Sequence, residues 1–329
     1  MRPPGDRVTF LREVPPVLVR TYAISLGLMF GSFLNVVIYR VPRNMSVVRP
    51  RSHCPACGAP IAFYDNIPIL SYAWLRGRAR CCNARVSPRY LFVELLGGLL
   101  AWAIVESIVL QLPADTSIVR ALAVFVSDFA LALGLTAAAF IDLEHMYIPD
   151  SITVGGAIVG LVTASLRGNT FTEALVGAIA GFAMVWVPFS LVYRVVRGRT
   201  GMGMGDAKLV ALAGAWFGWV GAMFALFAGA VQGTVGALGI LLIRGRIDEP
   251  AAVREEKQQV LQELDQMRPE ERDAALEALA RDPLYEPNAP GIGRARIAFG
   301  PFLVLAILEY LLVGHAWLDA YLGWTTPLY

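Results

Sequence analysis

Eight apolar stretches constrain this chain more than any other feature. They lie near residues 17–38, 90–112, 118–141, 151–166, 173–195, 206–217, 220–243 and 302–317. A segment in hydrocarbon must satisfy every backbone N–H and C=O internally, and about 20 apolar residues of helix cross the bilayer core. Of the 329 residues, 56% are hydrophobic and only 16% charged, whereas a soluble domain is about a quarter charged. The expected fold class is therefore all-α: a polytopic membrane protein with about eight transmembrane helices. Gly and Ala recur in these stretches, as close helix packing in lipid requires. The sixth stretch is short and closes in Gly214-Ala215-Trp216-Phe217-Gly218-Trp219, which reads as a tight hairpin into the seventh.

Arginines set the expected orientation. The segment after the first stretch carries Arg40, Arg43, Arg49, Arg51, Arg76, Arg78, Arg80, Arg85 and Arg89 against one acid, Asp65. Arg194, Arg197 and Arg199 follow the fifth stretch, and Arg244 and Arg246 the seventh. Cytosolic loops hold the excess of Lys and Arg, so these loops are expected inside and both termini outside. The first stretch is too long, and too closely followed by arginines, for a cleaved signal peptide. The expected organisation is an N-terminal tail (1–16), a first transmembrane helix (17–38), a cytosolic Cys-bearing domain (39–89), a transmembrane core (90–243), a cytosolic helical insert (244–296), and a last helix with the C-terminus (297–329). The insert reads as two short helices, 250–267 and 269–282, then a Pro/Gly-rich linker.

Gly201-Met202-Gly203-Met204-Gly205-Asp206-Ala207-Lys208 puts an aspartate behind flexible residues at the start of a helix, where free N–H groups favour an anion. Asp142 ends the third stretch at the same, cytosolic, boundary. Two carboxylates in a partly desolvated site share a proton, so one can activate water while the other polarises a carbonyl. That is the chemistry of aspartic peptide hydrolysis and needs no cofactor. The structural alternative is that each acid only caps a helix. A transporter or scaffold using both acids as ion ligands is a further alternative, although no inverted repeat is visible and the acids lie at the boundary rather than the midplane. Asp206, two residues from Lys208, is expected to be the resting carboxylate and Asp142 the proton carrier. No nucleic-acid partner is expected; membrane lipid is.

The chain closely resembles the type IV prepilin peptidases, bifunctional leader peptidases and N-methyltransferases of inner membranes. The resemblance is carried by Gly31-Ser32-Phe33-Leu34-Asn35-Val36, Cys54-Pro55-Ala56-Cys57-Gly58, Asn66-Ile67-Pro68-Ile69-Leu70-Ser71, Leu75-Arg76-Gly77-Arg78, Ser87-Pro88-Arg89-Tyr90 and Val93-Glu94-Leu95-Leu96. Asp142 with Ile148-Pro149-Asp150, Gly203-Met204-Gly205-Asp206 with Lys208, and Phe299-Gly300-Pro301-Phe302 complete the ordered set. It implies that Asp142 and Asp206 are the catalytic pair of a Gly-x-Gly-Asp intramembrane aspartyl protease, supported by Gly203, Gly205 and Lys208. It also implies prepilin or pseudopilin substrates, cleavage after a glycine at the cytosolic membrane face, and methylation of the new N-terminus from S-adenosylmethionine. A same-chemistry alternative is a preflagellin-like substrate, which the Cys-bearing loop disfavours.

Cys54-x-x-Cys57-Gly58 has the spacing of a zinc knuckle. The family pattern expects a second Cys-x-x-Cys on positions 79 and 82, but Ala79 breaks it and Cys81 stands beside Cys82. Zinc on Cys54, Cys57, Cys81 and Cys82 would need a bent backbone there, because neighbours in an extended segment point apart; reduced structural thiols are the alternative, and His53 a substitute ligand. Glu94 is placed either at the active site or in an interhelical hydrogen bond. Glu106 and Asp128 are expected to tie helices together, and His145 to face solvent or substrate.

Overall fold

The computed structural model describes residues 11–197, 201–244, scattered positions between 258 and 275, and 298–322. The architecture is all-helical; the β structure among these residues is limited to two isolated bridges in the Cys-bearing segment. Each of the eight apolar stretches is helical. Among the described residues, five helical stretches are long and apolar enough to cross a membrane: Pro16–Arg43, Pro88–Gln111, Ile118–His145, Phe171–Val196 and Met204–Ile243, the last of them two helices joined at a bend on Gly218. The chain is thus a polytopic membrane protein.

Helix α1 (Pro16–Arg40) is followed by the Cys-bearing segment, which contains one short helix, α2 (Leu70–Trp74). Helix α3 (Pro88–Ser107) starts on Ser87, whose hydroxyl accepts from the Arg89 amide, with Pro88 in the first turn. Both features satisfy or remove N–H groups that a helix start leaves unpaired. Helix α4 (Ile118–His145) is capped by Ser117 and is enclosed on several sides, with Val124, Ala132, Leu135, Ala138 and Ile141 buried. It ends on Met146 in a left-handed conformation (φ 56°). Helices α5 (Asp150–Val162) and α6 (Phe171–Val185) follow, the latter begun by a Thr170–Glu173 capping box. A π-helical turn, Trp186–Val192, contains Pro188 and leads into α7 (Tyr193–Arg197). Helix α8 (Met204–Arg244) and helix α9 (Gly300–Leu322) complete the fold.

The expected hairpin at 214–219 is present within α8. Gly218 has φ 70° and ψ −174°, a backbone state that glycine adopts without steric cost. The packing against α6 shows the reversal. A Cβ on Gly177 would strike Gly214 and Gly218, whereas one on Gly181 would strike Val210 and Ala222. Two α8 positions on either side of the bend therefore share each level of α6, and the arms run antiparallel. On Gly214 a Cβ would lie 2.1 Å from the Gly177 carbonyl oxygen, so the backbones touch.

Helix α5 is shorter than its apolar stretch suggests. The α-helix stops at Val162 and continues only as a 3-10 turn, Ala164–Arg167. Arg167, 1% exposed, explains the stop. Its guanidinium donates to the Gly160 carbonyl (2.6 Å), the Trp216 carbonyl (3.3 Å) and the Thr163 hydroxyl (3.0 Å), and lies 4.1 Å from the centre of the Trp216 ring. One cation thus satisfies the carbonyl ends of α5 and of the first arm of α8, where the helix dipoles favour it. Arg167→Ala should destabilise the fold by roughly 3 kcal/mol or more by leaving those carbonyls unpaired. Arg167→Lys, lacking the planar fork, should recover only part of that loss. The thermal midpoint of the purified variants measures both.

At that same end of the bundle, Leu11–Glu13 forms one 3-10 turn, and the Leu11 amide donates to the Thr116 carbonyl (3.0 Å), fixing the N-terminal segment to the turn before α4. Glu106 pairs with Arg20, joining α1 to α3. The expected helical insert, 244–296, and its linker fall outside the described residues except at scattered positions.

Candidate active site and metal centre

Asp142 and Asp206 come from opposite helix ends. Asp142 lies in the last turn of α4, 6% exposed, and Asp206 lies in the first turn of α8, half-buried. The two carboxyl groups are electrostatic neighbours. Asp206 reaches back to the amide of Gly203, at the residue before the helix, the return half of a capping box. Asp142 accepts from the amide of Gly300 (3.0 Å). Gly300 opens α9 and is followed by Pro301, so a third helix, by its start, is aimed at the acid pair. Ile148, from the α4–α5 connection, packs against Gly205 and Gly300 and supplies an apolar wall beside the acids.

Gly300 announces its role only weakly in sequence, through a Gly-Pro pair that is a helix-start signal at the expected membrane boundary. A Cβ there would lie 2.6 Å from Asp142 Oδ2 and 3.0 Å from Ile148 Cδ1. Gly300→Ala must therefore push the carboxyl aside. A displacement of about 1 Å at a reacting group costs on the order of 10²-fold in rate, so Gly300→Ala tests whether Asp142 reacts: a catalytic carboxyl predicts a fall in kcat of about that size, and a mere helix cap predicts none, with the melting midpoint little changed in either case.

The other expected support residues are placed differently. Lys208 Nζ lies 2.6 Å from Asp150 Oδ1, across to α5, and not on Asp206. Positions two apart on a helix face different sides, which is why proximity in sequence misleads here. The cation expected to hold Asp206 ionised is thus occupied elsewhere, while Asp142 has an amide donor of its own. Gly203 and Gly205 flank Asp206, and a Cβ on Gly205 would meet Ile148 at 3.3 Å. Glu94 Oε2 accepts from the Ile69 amide (2.8 Å), where the chain has φ 62° at the start of α2. It fastens the Cys-bearing segment to α3. Asn35 does similar work, donating from α1 to the Tyr90 carbonyl (3.1 Å). His145 approaches Glu144, which also pairs with Arg89 of α3.

All four cysteines meet. Their Sγ atoms lie within 4.8 Å of one another, with Cys57–Cys81 at 3.3 Å, Cys54–Cys82 at 3.7 Å and Cys81–Cys82 at 3.9 Å. Zn–S bonds of about 2.3 Å in a tetrahedron put sulfurs roughly 3.8 Å apart, so the donor set fits a tetrahedral, thiophilic ion. The backbone explains how Cys81 and Cys82 both reach it. Cys54 N donates to Ala59 O and Gly58 N to Cys54 O, each 2.8 Å; Ala79 N donates to Ala84 O and Asn83 N to Ala79 O, each 2.8 Å. Bridges His53–Pro60 and Arg78–Arg85 close the two hairpins, and Gly58 (φ 72°) and Asn83 (φ 58°) occupy equivalent bends. The segment is thus an internal duplication, offset by 25 positions (79 − 54), in which Ala79 stands opposite Cys54 and Cys81 has moved into the gap from the turn. His53 is not part of the cluster; its Nδ1 lies 3.3 Å from the Arg51 carbonyl. The amides of Ala56 and Cys57 pull the Cys54 thiol down to about 6, whereas its hydrogen bonds to Cys57 and Cys54 push the Cys81 thiol up to about 12. Asp65 and Arg80 form a two-pronged ion pair (2.8–3.0 Å) that braces the second hairpin against the turn before α2 and holds the guanidinium above its ordinary range.

An all-helical membrane bundle, with paired acids at one end and a thiol-rich hairpin pair between its first two long helices, is the class of protein defined so far. The sequence pattern of the bacterial peptidase A24 N-terminal domain matches residues 25–108, and that of the type IV leader peptidase family matches residues 129–238. The chain is 36% identical over 326 residues to the prepilin leader peptidase/N-methyltransferase of Myxococcus xanthus, covering 92% of each chain. It is 34% identical over 254 residues to that of Aeromonas hydrophila (70% of this chain, 83% of the relative) and 34% over 260 residues to that of Neisseria gonorrhoeae (68% and 83%). No solved structure matches the chain significantly. The chain belongs to the type IV leader peptidase family and is a bacterial inner-membrane peptidase.

Proposed function

We propose that this protein removes the short basic leader of type IV prepilins or pseudopilins at the cytosolic membrane face, with Asp142 and Asp206 as the catalytic pair, and then N-methylates the exposed residue. The observation that carries the reading is the convergence of two acids from the ends of α4 and α8, each with a backbone amide for one oxygen and an apolar wall beside them. In such a pair one carboxylate takes a proton from water as its oxygen attacks the scissile carbonyl. The protonated partner donates to the carbonyl oxygen. Collapse of the tetrahedral diol breaks the C–N bond and returns a proton to the leaving amine. The excess of arginine in alternate loops supports a topology with the acids and the Cys-bearing domain inside and both termini outside; cleavage there would meet the leader where the substrate's own helix leaves the bilayer.

The four thiols would hold zinc as a structural cross-link between the two hairpins, with no part in peptide hydrolysis. S-adenosylmethionine would supply the methyl group. The open groove between α5, α6 and α8 is lined almost wholly by apolar groups and does not fit a charged adenosyl ligand, so no residue is assigned to the donor. Incubating the protein in nanodiscs with a synthetic prepilin tests the reading. Mass spectrometry should show release of the leader after a glycine, and gain of one methyl group only when S-adenosylmethionine is present. An intact prepilin after prolonged incubation would refute it.

A further inference from the structure

The one short helix of the Cys-bearing segment is turned inside out. In α2 a polar side chain makes the inward contacts: the Ser71 hydroxyl donates to the Tyr64 carbonyl (2.9 Å) and accepts from the Ile67 amide (3.1 Å), which seats the helix on the turn before it. The large apolar side chains are left outside. Leu70 and Trp74, one turn apart and so on one face, are 66% and 82% exposed, and Phe63 and Ile67 in the preceding turn are exposed as well. Side chains of this size in water forgo most of the free energy of their burial, and an apolar surface of this kind marks a contact.

The tether at Ile69 fixes the height at which α2 stands. Ile69 is the residue before α2, and its amide donates to Glu94 Oε2 (2.8 Å). Glu94 lies six positions beyond Pro88 (94 − 88), about 9 Å along α3 from its start at 1.5 Å per residue. By that depth α3 is a membrane helix, with Phe92 and Leu95, on either side of Glu94 in sequence, exposed on a stretch apolar enough to cross the bilayer. Helix α2 therefore starts beside the headgroup layer, where Trp is enriched. Arg76 and Arg78 follow it at once and are exposed. We propose that α2 is an interfacial anchor: Leu70 and Trp74 enter the cytosolic leaflet, and Arg76 and Arg78 lie on its anionic headgroups. The leaflet named rests on the topology proposed above; the anchor itself rests on the Glu94 tether. The prepilin is the rival occupant of this face, and charge decides against it. A basic leader would meet a segment with nine arginines between positions 40 and 89 against one acid, Asp65, which Arg80 already holds, whereas anionic lipid is drawn to the same excess.

The full chain in nanodiscs of phosphatidylcholine and phosphatidylglycerol, without substrate, tests this. A fluorescent amino acid at position 74 should be quenched by phospholipid spin-labelled high on its acyl chain and shielded from acrylamide in the buffer. Leu70→Glu should raise the fraction of chains open to acrylamide by about 10-fold, the equilibrium effect of withdrawing one large apolar side chain from lipid. Leu70 is exposed, so the melting midpoint should hold and confirm that the variant is folded. Exchanging phosphatidylglycerol for phosphatidylcholine throughout should also raise that fraction. Quenching by acrylamide and not by the labelled lipid, a folded Leu70→Glu chain no more open than its parent, or indifference to phosphatidylglycerol would each overturn the proposal. So would shielding at position 74 that appears only when a prepilin is added, which would give the face to the substrate.

Discussion

Asp142→Asn and Asp206→Asn should each abolish leader removal, with kcat on a synthetic prepilin falling by roughly 10⁴-fold or more, as is found when one member of a catalytic unit is deleted. The double variant should be no worse than either single one, because neither acid can complete the proton transfers alone. Asparagine keeps the shape and can still accept from the Gly300 or Gly203 amide, so the fold should survive; unchanged melting midpoints would establish that the loss is chemical. Residual activity within about 10-fold of wild type in either variant would show that the acids are helix caps and nothing more. The result would also separate this pair from Lys208. Since that residue is held by Asp150 on another face of α8, Lys208→Met should leave the rate within a few-fold of wild type, an effect no larger than the loss of one indirect contact.

The second large effect concerns the thiols. Structural zinc sites contribute on the order of 10–16 kcal/mol of apparent binding free energy, and a segment with no extended sheet and only a five-residue helix has little else to hold it. Stripping the ion with a strong chelator, or replacing Cys54 by Ser, should open residues 51–86 to trypsin at Arg76, Arg78, Arg80 and Arg85, while the membrane helices remain folded. Metal content should fall from one ion per chain to none. The internal duplication adds a sharper expectation. Cys81→Ala should lose the ion, and the double change Ala79→Cys with Cys81→Ala should regain it, because position 79 mirrors Cys54. If the double variant stays empty, the two hairpins are not equivalent as ligand frames.

Much of this was legible in the chain itself, for identifiable reasons. Apolar runs report helices in lipid because the bilayer leaves the backbone no other way to satisfy its polar groups, and all eight runs are helical. The hairpin at Gly218 was legible because a glycine between two aromatic residues interrupts a run too long for one crossing. The four cysteines were identified as a set, but adjacency of Cys81 and Cys82 counted against a shared site until the bend at Asn83 put both sulfurs on one side. What stayed hidden depends on contacts far apart in sequence. The Gly300 amide that meets Asp142 is 158 positions away. Lys208 sits beside Asp206 along the chain and beside Asp150 in space. Glu94 reaches the Cys-bearing segment through a backbone amide, an acceptor–donor pairing that no residue pattern announces.

The buried Arg167 has a consequence for the membrane around the protein. Helix α5, with 13 residues, and the first arm of α8, over positions 204–217, are each only about 20 Å long, against a hydrocarbon layer of about 30 Å. Both stop at the same guanidinium, so the shortfall accumulates on one face, opposite the paired acids. A bilayer meets such short elements by thinning locally. By that argument the bilayer should be thinner beside α5 and the first arm of α8, and lipids with longer tails should strain the protein more than shorter ones.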